Sequence, residues 1–203
     1  MEDTSRIRES RIWEAPPFFF ERGCRICLQA ESGGGKSSLL SFIYGNRHDY
    51  TGDILFDNKN IRSLSIPQWC EIRRKEIALL PQEMRLFPEI TVEENIALKN
   101  SLTNHKNGHE IDEMLELLGI LDKKKTAVGK LSIGQQQRVA IIRTLCQPFD
   151  FLFLDEPVSH LDETNNQLVA NLVEKEASKN GSGIISTSVG NHLLLDNPDF
   201  IPL

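Results

Sequence analysis

Apolar positions along the chain change their period several times, and each change marks an element. Residues 18–29 (FFFERGCRICLQ) form an apolar segment that runs into a glycine-rich turn, and the apolar stretch Leu39–Tyr44 beyond it has helical character. Strand, loop and helix is the order this predicts. Residues 52–57 (GDILFD), the turn-like Asn58-Lys59-Asn60 and the apolar run Ile77–Leu80 predict a small strand-rich region, with Gln82 directly after it. From Thr91 the spacing turns helical. Ile111, Met114, Leu115 and Leu118 fall at i, i+3, i+4 and i+7, while Glu110, Asp112, Glu113 and Glu116 cover the other face, so a helical insert is predicted over roughly residues 83–145. Val139, Ile142 and Cys146 share one face of a second helix after Gly134, with Arg138 predicted to face outward. The runs Phe151–Leu154 and Gly183–Thr187 read as buried strands.

Strands alternating with helices predict an α/β fold with a mainly parallel sheet covered on both sides. Ligands on such sheets collect at the carboxyl ends of the strands. Three loops sit at those ends, residues 30–37, 155–157 and 187–189.

Composition narrows the function classes. At 203 residues and 39% hydrophobic content, the chain can bury one core or two closely joined subdomains. Its 23 basic residues against 29 acidic ones leave a net charge of −6, which gives no sign of wholesale nucleic-acid or lipid binding. The longest apolar runs fall far short of the ~20 residues a membrane-crossing helix needs. Charged Glu2, Asp3, Arg6, Arg8 and Glu9 open the chain with no apolar run after them, so no secretory leader and a cytoplasmic location are expected. The 4 cysteines are expected to be free thiols. Cys24 and Cys27 form a C-x-x-C within a predicted strand, where an offset of three puts them on opposite faces and argues against a metal or redox pair. His105 and His109 have the spacing of a helical metal pair, but Asn104, Asn107 and Gly108 predict a loop there.

Chemistry concentrates in the three loops and one helix start. In Ala30-Glu31-Ser32-Gly33-Gly34-Gly35-Lys36-Ser37, consecutive glycines let backbone N–H groups curl toward phosphate oxygens, helped by the dipole of the following helix. Lys36 would reach the β- and γ-phosphates and Ser37 would offer its hydroxyl to Mg²⁺. The pattern G-x-x-x-x-G-K-[ST] departs at Ala30, which strains the loop only if that residue needs a positive φ. Asp155-Glu156-Pro157 puts two carboxylates at the tip of a buried strand, where a bound cation would justify them. In phosphate-loop NTPases the first acid serves Mg²⁺ and the second the attacking water. Leu131-Ser132-Ile133-Gly134-Gln135 combines a short hydroxyl, a glycine N–H and a helix start, which are anion-binding ingredients and also those of a simple helix cap.

In this order and spacing the motifs resemble the ATP-binding cassette ATPases over nearly the whole chain: 30–37 the phosphate loop, Gln82 in LLPQE the Q-loop, LSIGQ at 131–135 the family's LSGGQ, FLFLDEP at 151–157 the acidic strand, and Ser159-His160-Leu161-Asp162 the D-loop. The resemblance implies a phosphate-loop NTPase with a small antiparallel β region and a helical subdomain. Residues 1–203 would form a single unit, with a catalytic core about 1–82 and 146–203 and the helical subdomain about 83–145. It implies ATP and Mg²⁺ as ligands, held by Ser32, Gly33, Gly34, Gly35, Lys36, Ser37 and Ser38, with Ser37, Gln82 and Asp155 toward the metal. Lys36, Gln82 and Glu156 would be catalytic, Glu156 as general base. A second copy would stack head to tail, its ATP capped by Ser132, Gly134 and Gln135, with Asp162 linking the two sites. The segment LFPEITVEENIAL resembles the one that receives a transmembrane permease, so a peripheral place at the inner membrane face and no nucleic-acid partner are expected. A slow, nucleotide-gated association module is the alternative, because Ser188 stands where the family has its switch histidine, with His192 four residues on. Trp13 is the candidate for stacking on adenine, or equally a tryptophan covering the sheet edge.

Overall fold

A computed structural model describes residues 10–12 and 17–203. Its centre is a five-stranded sheet of β1 (Arg25–Gln29), β4 (Ile77–Leu80), β5 (Phe151–Leu154), β6 (Gly183–Ser188) and β7 (Asp199–Pro202), in the order β4-β5-β6-β1-β7 with every pairing parallel. A parallel sheet has both faces covered, so its central strands tolerate few exposed positions. All of β6 is buried accordingly, including Ser186, Thr187 and Ser188. Register brings Leu154 opposite Ser186 and Leu28 opposite Thr187, which levels the carboxyl ends of β1, β5 and β6.

Ile77–Leu80 belongs to this main sheet as its edge strand, not to the small strand-rich region. That region is only the two-stranded hairpin of β2 (Leu55–Phe56) and β3 (Lys59–Asn60), closed by Asp57 and Asn58 at φ 47° and 62°, as a type I′ turn demands. Between hairpin and edge strand the chain folds instead as α2 (Ile66–Lys75), entered through Ser65, whose N–H donates to Gln68 Oε1 at 2.8 Å. Strand β7 carried no alternating signal, because of its residues only Ile201 is buried, and its terminal Pro202 suits an edge.

The remaining helices are α1 (Lys36–Ile43), α3 (Val92–Asn100), α4 (Gly108–Leu117), α5 (Ile133–Leu145) and α6 (Glu163–Ser178). Capping boxes begin α3 (Thr91 with Glu94), α4 (Asn107 with Glu110) and α5 (Ser132 with Gln135). Asn107 and Gly108 therefore start a helix, and His109 lies in its first turn rather than in a loop. Among the described residues no group of histidines, cysteines and acids is arranged for a metal. Cys24 precedes β1 rather than lying in it, and all four cysteines are free. Burial pushes the Cys146 thiol up to about 12, so it is inert.

Arg138 does not face outward. Its guanidinium donates to the Leu118 carbonyl at 2.8 Å and Asn165 Oδ1 at 2.9 Å, tying α5 to the end of α4 and to α6. One hydrophobic cluster runs through α3, α4, α5, β5 and α6, so the helical insert shares its core with the sheet. Among the described residues no helix is long and apolar enough to cross a membrane.

A buried ion pair ties the chain just before α4 to α6. Lys106, before α4, meets Glu176 of α6 at 2.7 Å, with side chains 4% and 6% exposed, and Lys179 reaches the same carboxylate at 2.8 Å. Removing one partner of such a pair strands the other charge in the interior. Burial alone pushes the Glu176 carboxyl up, but hydrogen bonds from Lys106 and Lys179 outweigh it and hold the group below its ordinary value of 4.5. The stabilisation is therefore complete above pH 4.5 and is lost as pH falls through the lower folded value. Glu176→Ala should cost about 3 kcal/mol in urea unfolding at neutral pH, and Glu176→Gln should flatten the acid limb of the stability profile relative to wild type. An unchanged acid limb would remove Glu176 from that role.

Candidate functional site

The carboxyl ends of β1, β5 and β6 form one edge, and the motif residues gather along it. After β1 the chain turns through residues 30–35 into α1. Gly35 caps α1 at φ 86° and ψ 1°, a conformation that favours glycine, and Lys36 follows as the first helical residue. Lys36 is 4% exposed, and its Nζ donates to the carbonyls of Ala30 at 2.9 Å and Glu31 at 3.1 Å. Two of the three ammonium hydrogens thus hold the loop's own backbone.

Ala30 is not among the left-handed residues, so its departure from glycine introduces no strain. It transfers the requirement for glycine along the loop. A Cβ at Gly34 would lie 2.6 Å from that of Ala30 and 3.0 Å from the Glu31 carbonyl. Ser32, Gly33 and Ser37 are exposed at the loop surface, while Ser38 Oγ accepts from Arg47 Nη1 at 2.9 Å.

Across the edge, Asp155 is 5% exposed. Its Oδ1 accepts the Thr187 hydroxyl at 2.7 Å, and among the described residues no cationic side chain pairs with it. A buried carboxylate with an uncommitted oxygen suits a divalent cation, so the donor set fits Mg²⁺. The same Thr187 Oγ1 accepts the N–H of Glu156 at 3.0 Å. Glu156 itself is left-handed at φ 49°, a strained place for a residue with a Cβ. Its Oε2 accepts from Gln82 Nε2 at 3.2 Å, which brings the residue after β4 onto the second acid.

The turn that follows Gln82 is held by α5. Arg143 of α5 donates to the Arg85 carbonyl at 2.8 Å and also to that of Met84, and both residues are left-handed, at φ 57° for Met84 and 49° for Arg85. Gln137 and Arg143 are not among the candidate site residues, and Thr187 enters only as the first residue of the 187–189 loop, with no role of its own. Their signal is polarity at a position where the element's period demands an apolar side chain, which is clear for Thr187 and Gln137 at 1% and 3% exposure.

Ser132, Gly134 and Gln135 lie at the start of α5. Ser132 Oγ accepts the Gln135 N–H at 3.3 Å, and Gln135 Oε1 accepts the Ser132 N–H at 3.0 Å, so within one chain both side chains serve as cap. Ile133, at 47% exposure, points away from the fold. Asp162 likewise caps α6 through Asn165, whose N–H is 2.8 Å from Oδ1 and holds the carboxyl below the usual range.

Ser188 is 2% exposed and accepts the Cys27 thiol at 3.7 Å. The ring of His192 packs edge-on against Phe200 at 5.0 Å, in the manner of an ordinary surface residue. Trp13 lies outside the described residues.

The ABC transporter family matches residues 16–159. The ATP-binding protein LolD of a lipoprotein-releasing system in Leptospira interrogans is 34% identical over 82% of this chain and 71% of its own length. The aliphatic sulfonates import ATP-binding protein SsuB of Bacillus cereus is 37% identical over 75% of this chain and 57% of its own. The chain spans between 46% and 76% of the length of such curated relatives. A dimeric ATP-binding cassette solved in a post-hydrolysis state with ADP and Pi superposes with a TM-score of 0.73 at 26% identity, covering 84% of this chain and 77% of that one. On this match, and on the loops after β1, β4 and β5 that carry three of the motifs, the chain belongs to the ABC transporter family as one of its ATP-hydrolysing cassettes.

Proposed function

We propose that the chain works as a head-to-tail dimer, hydrolysing Mg²⁺-ATP to drive a separate transmembrane permease at the inner face of a membrane. The observation that carries this reading is the contact of Gln82 with Glu156 beside the buried, cation-free Asp155. Residues 32–38 would wrap the phosphates, with Lys36 exchanging its loop carbonyls for phosphate oxygens. Mg²⁺, when bound, would neutralise phosphate charge, and Ser37, Asp155 and Gln82 would hold it. Glu156 would accept the proton of the attacking water, oriented by Gln82. The exposed starts of α5, with Ser132, Gly134 and Gln135, would close over the ATP of the second copy. Phe87 and Leu98, at 53% and 49% exposure, offer apolar surface beyond Gln82 for the permease. Residues 83–145 would form the helical subdomain beside a catalytic core of about residues 1–82 and 146–203.

Ser188 favours a second reading, slow turnover with association as the output, because its short side chain turns to Cys27 and no histidine stands in its place. Loss of one preorganised donor typically lowers a rate by about 10²-fold or more.

Glu156→Gln should keep ATP binding, lose turnover and accumulate an ATP-bound dimer in size-exclusion chromatography; a monomer in excess ATP and Mg²⁺ would oppose the dimer reading. Lys36→Ala should weaken ATP binding at least about tenfold in calorimetry, since a charge-assisted contact is lost, and unchanged affinity would remove Lys36 from its role. Thr187→Val, which deprives both Asp155 and the Glu156 N–H of a partner, should raise the Mg²⁺ concentration needed for half-maximal rate about tenfold or more. Thr187→Ser should restore it. Single-turnover hydrolysis should speed up in Ser188→His if the second reading holds, and an unchanged rate would discard it.

A further inference from the structure

Glu156 is held in its left-handed conformation through the two peptide groups that flank it. Thr187 accepts its N–H at 3.0 Å, and Gln137 Nε2 donates to its carbonyl at 3.1 Å. Gln137 lies in the second turn of α5 and is 3% exposed. The same Nε2 donates to Ser159 Oγ at 3.3 Å, and Oε1 accepts the His160 N–H at 3.1 Å. A carbonyl to satisfy on one side and an N–H on the other require a side chain with both donor and acceptor, which an amide supplies. One buried amide therefore fixes residues 156–160 as a unit.

A second observation shows that α5 and this segment are meant to touch. A Cβ at Gly134 would stand 2.9 Å from the His160 carbonyl and 3.5 Å from Leu161 Cδ2. Glycine there lets the first turn of α5 close onto the segment, and Gln137, three residues on, locks it in place.

We infer that Gln137 is a positioning residue for hydrolysis: it aims the Glu156 carboxylate by fixing its backbone, and it makes that aim depend on where α5 stands. The inference rests on the reading of Glu156 as proton acceptor. The start of α5 carries Ser132, Gly134 and Gln135, so the helix that would cap one nucleotide is hydrogen-bonded, through Gln137, to the acid that serves the other. Displacement of α5 toward a second copy moves Glu156 with it. Neither Gln82 nor Thr187 can do this, because one contacts the carboxylate tip from the β4 side and the other belongs to the sheet.

Gln137→Met keeps length and volume while removing all three bonds; Gln137→Glu keeps the acceptor for His160 but turns an oxygen toward the Glu156 carbonyl. Both should lower kcat about 10- to 100-fold while leaving the Kd for ATP unchanged. Combined with Glu156→Gln, neither should slow the reaction further, because Gln137 acts through that residue. Hydrogen exchange should also report it without turnover: Gln137→Met should deprotect the amides of residues 156–160 and leave residues 30–37 as in wild type. Wild-type kcat, wild-type protection at 156–160, or equal losses of kcat and ATP affinity with a lowered Tm would each overturn the inference. If Glu156→Gln itself turned over at the wild-type rate, the base assignment would fall instead, a result separate from the others.

Discussion

A carboxylate at the closed end of a parallel sheet is the constraint on which the site depends. Asp155 follows β5 in an interior where an ionised group without a partner is costly, and among the described residues the side chain that answers it is a hydroxyl from the neighbouring strand. That hydroxyl can be there because β5 and β6 run parallel and in register, so the residue after Leu154 faces the residue after Ser186. The same oxygen then receives the next peptide N–H, which bends the chain at Glu156 and swings its carboxylate toward Gln82. Sheet order, strand register and the aim of the second acid are consequences of one another. A shift of β6 by a single residue would turn Thr187 to the opposite face and leave Asp155 unanswered.

Much of this is legible in the sequence. The glycine-rich turn, the paired acids after FLFL, Gln82 and LSIGQ are local patterns, each carrying its own chemistry; the first three lie after strands of the parallel sheet, while LSIGQ starts α5. The parallel α/β class was legible for the same reason: alternation of strand and helix survives even where individual boundaries are wrong. Ile77–Leu80 pairs in the main sheet rather than with the hairpin because a short apolar run records burial but not its partner, and its partner, Phe151–Leu154, lies more than seventy residues away. The β7 edge gave no signal because one buried residue makes no period.

What stayed hidden in the site was of another kind. Thr187, Gln137 and Arg143 act on backbone groups distant in sequence, and backbone carries no letter in the sequence. Polar residues inside an apolar pattern mark such places, yet the pattern does not say which peptide they will meet. Arg138 shows the same blindness on the surface side: its charge suggested solvent, whereas the carbonyl ending α4 and the amide of Asn165 claim it. Asn107 and Gly108 suggested a loop because the same residues that break helices also begin them.

Lys36, resting on the carbonyls of Ala30 and Glu31, has a thermodynamic meaning of its own. A phosphate loop held only by its ligand would have to become ordered at the moment of binding, and the entropy of that ordering would be subtracted from affinity. Here the cation that would meet the phosphate already closes the loop around itself, with Gly34 packed against Ala30. Binding becomes an exchange of partners on a shaped surface, so the selectivity of the loop resides in its geometry before any nucleotide arrives.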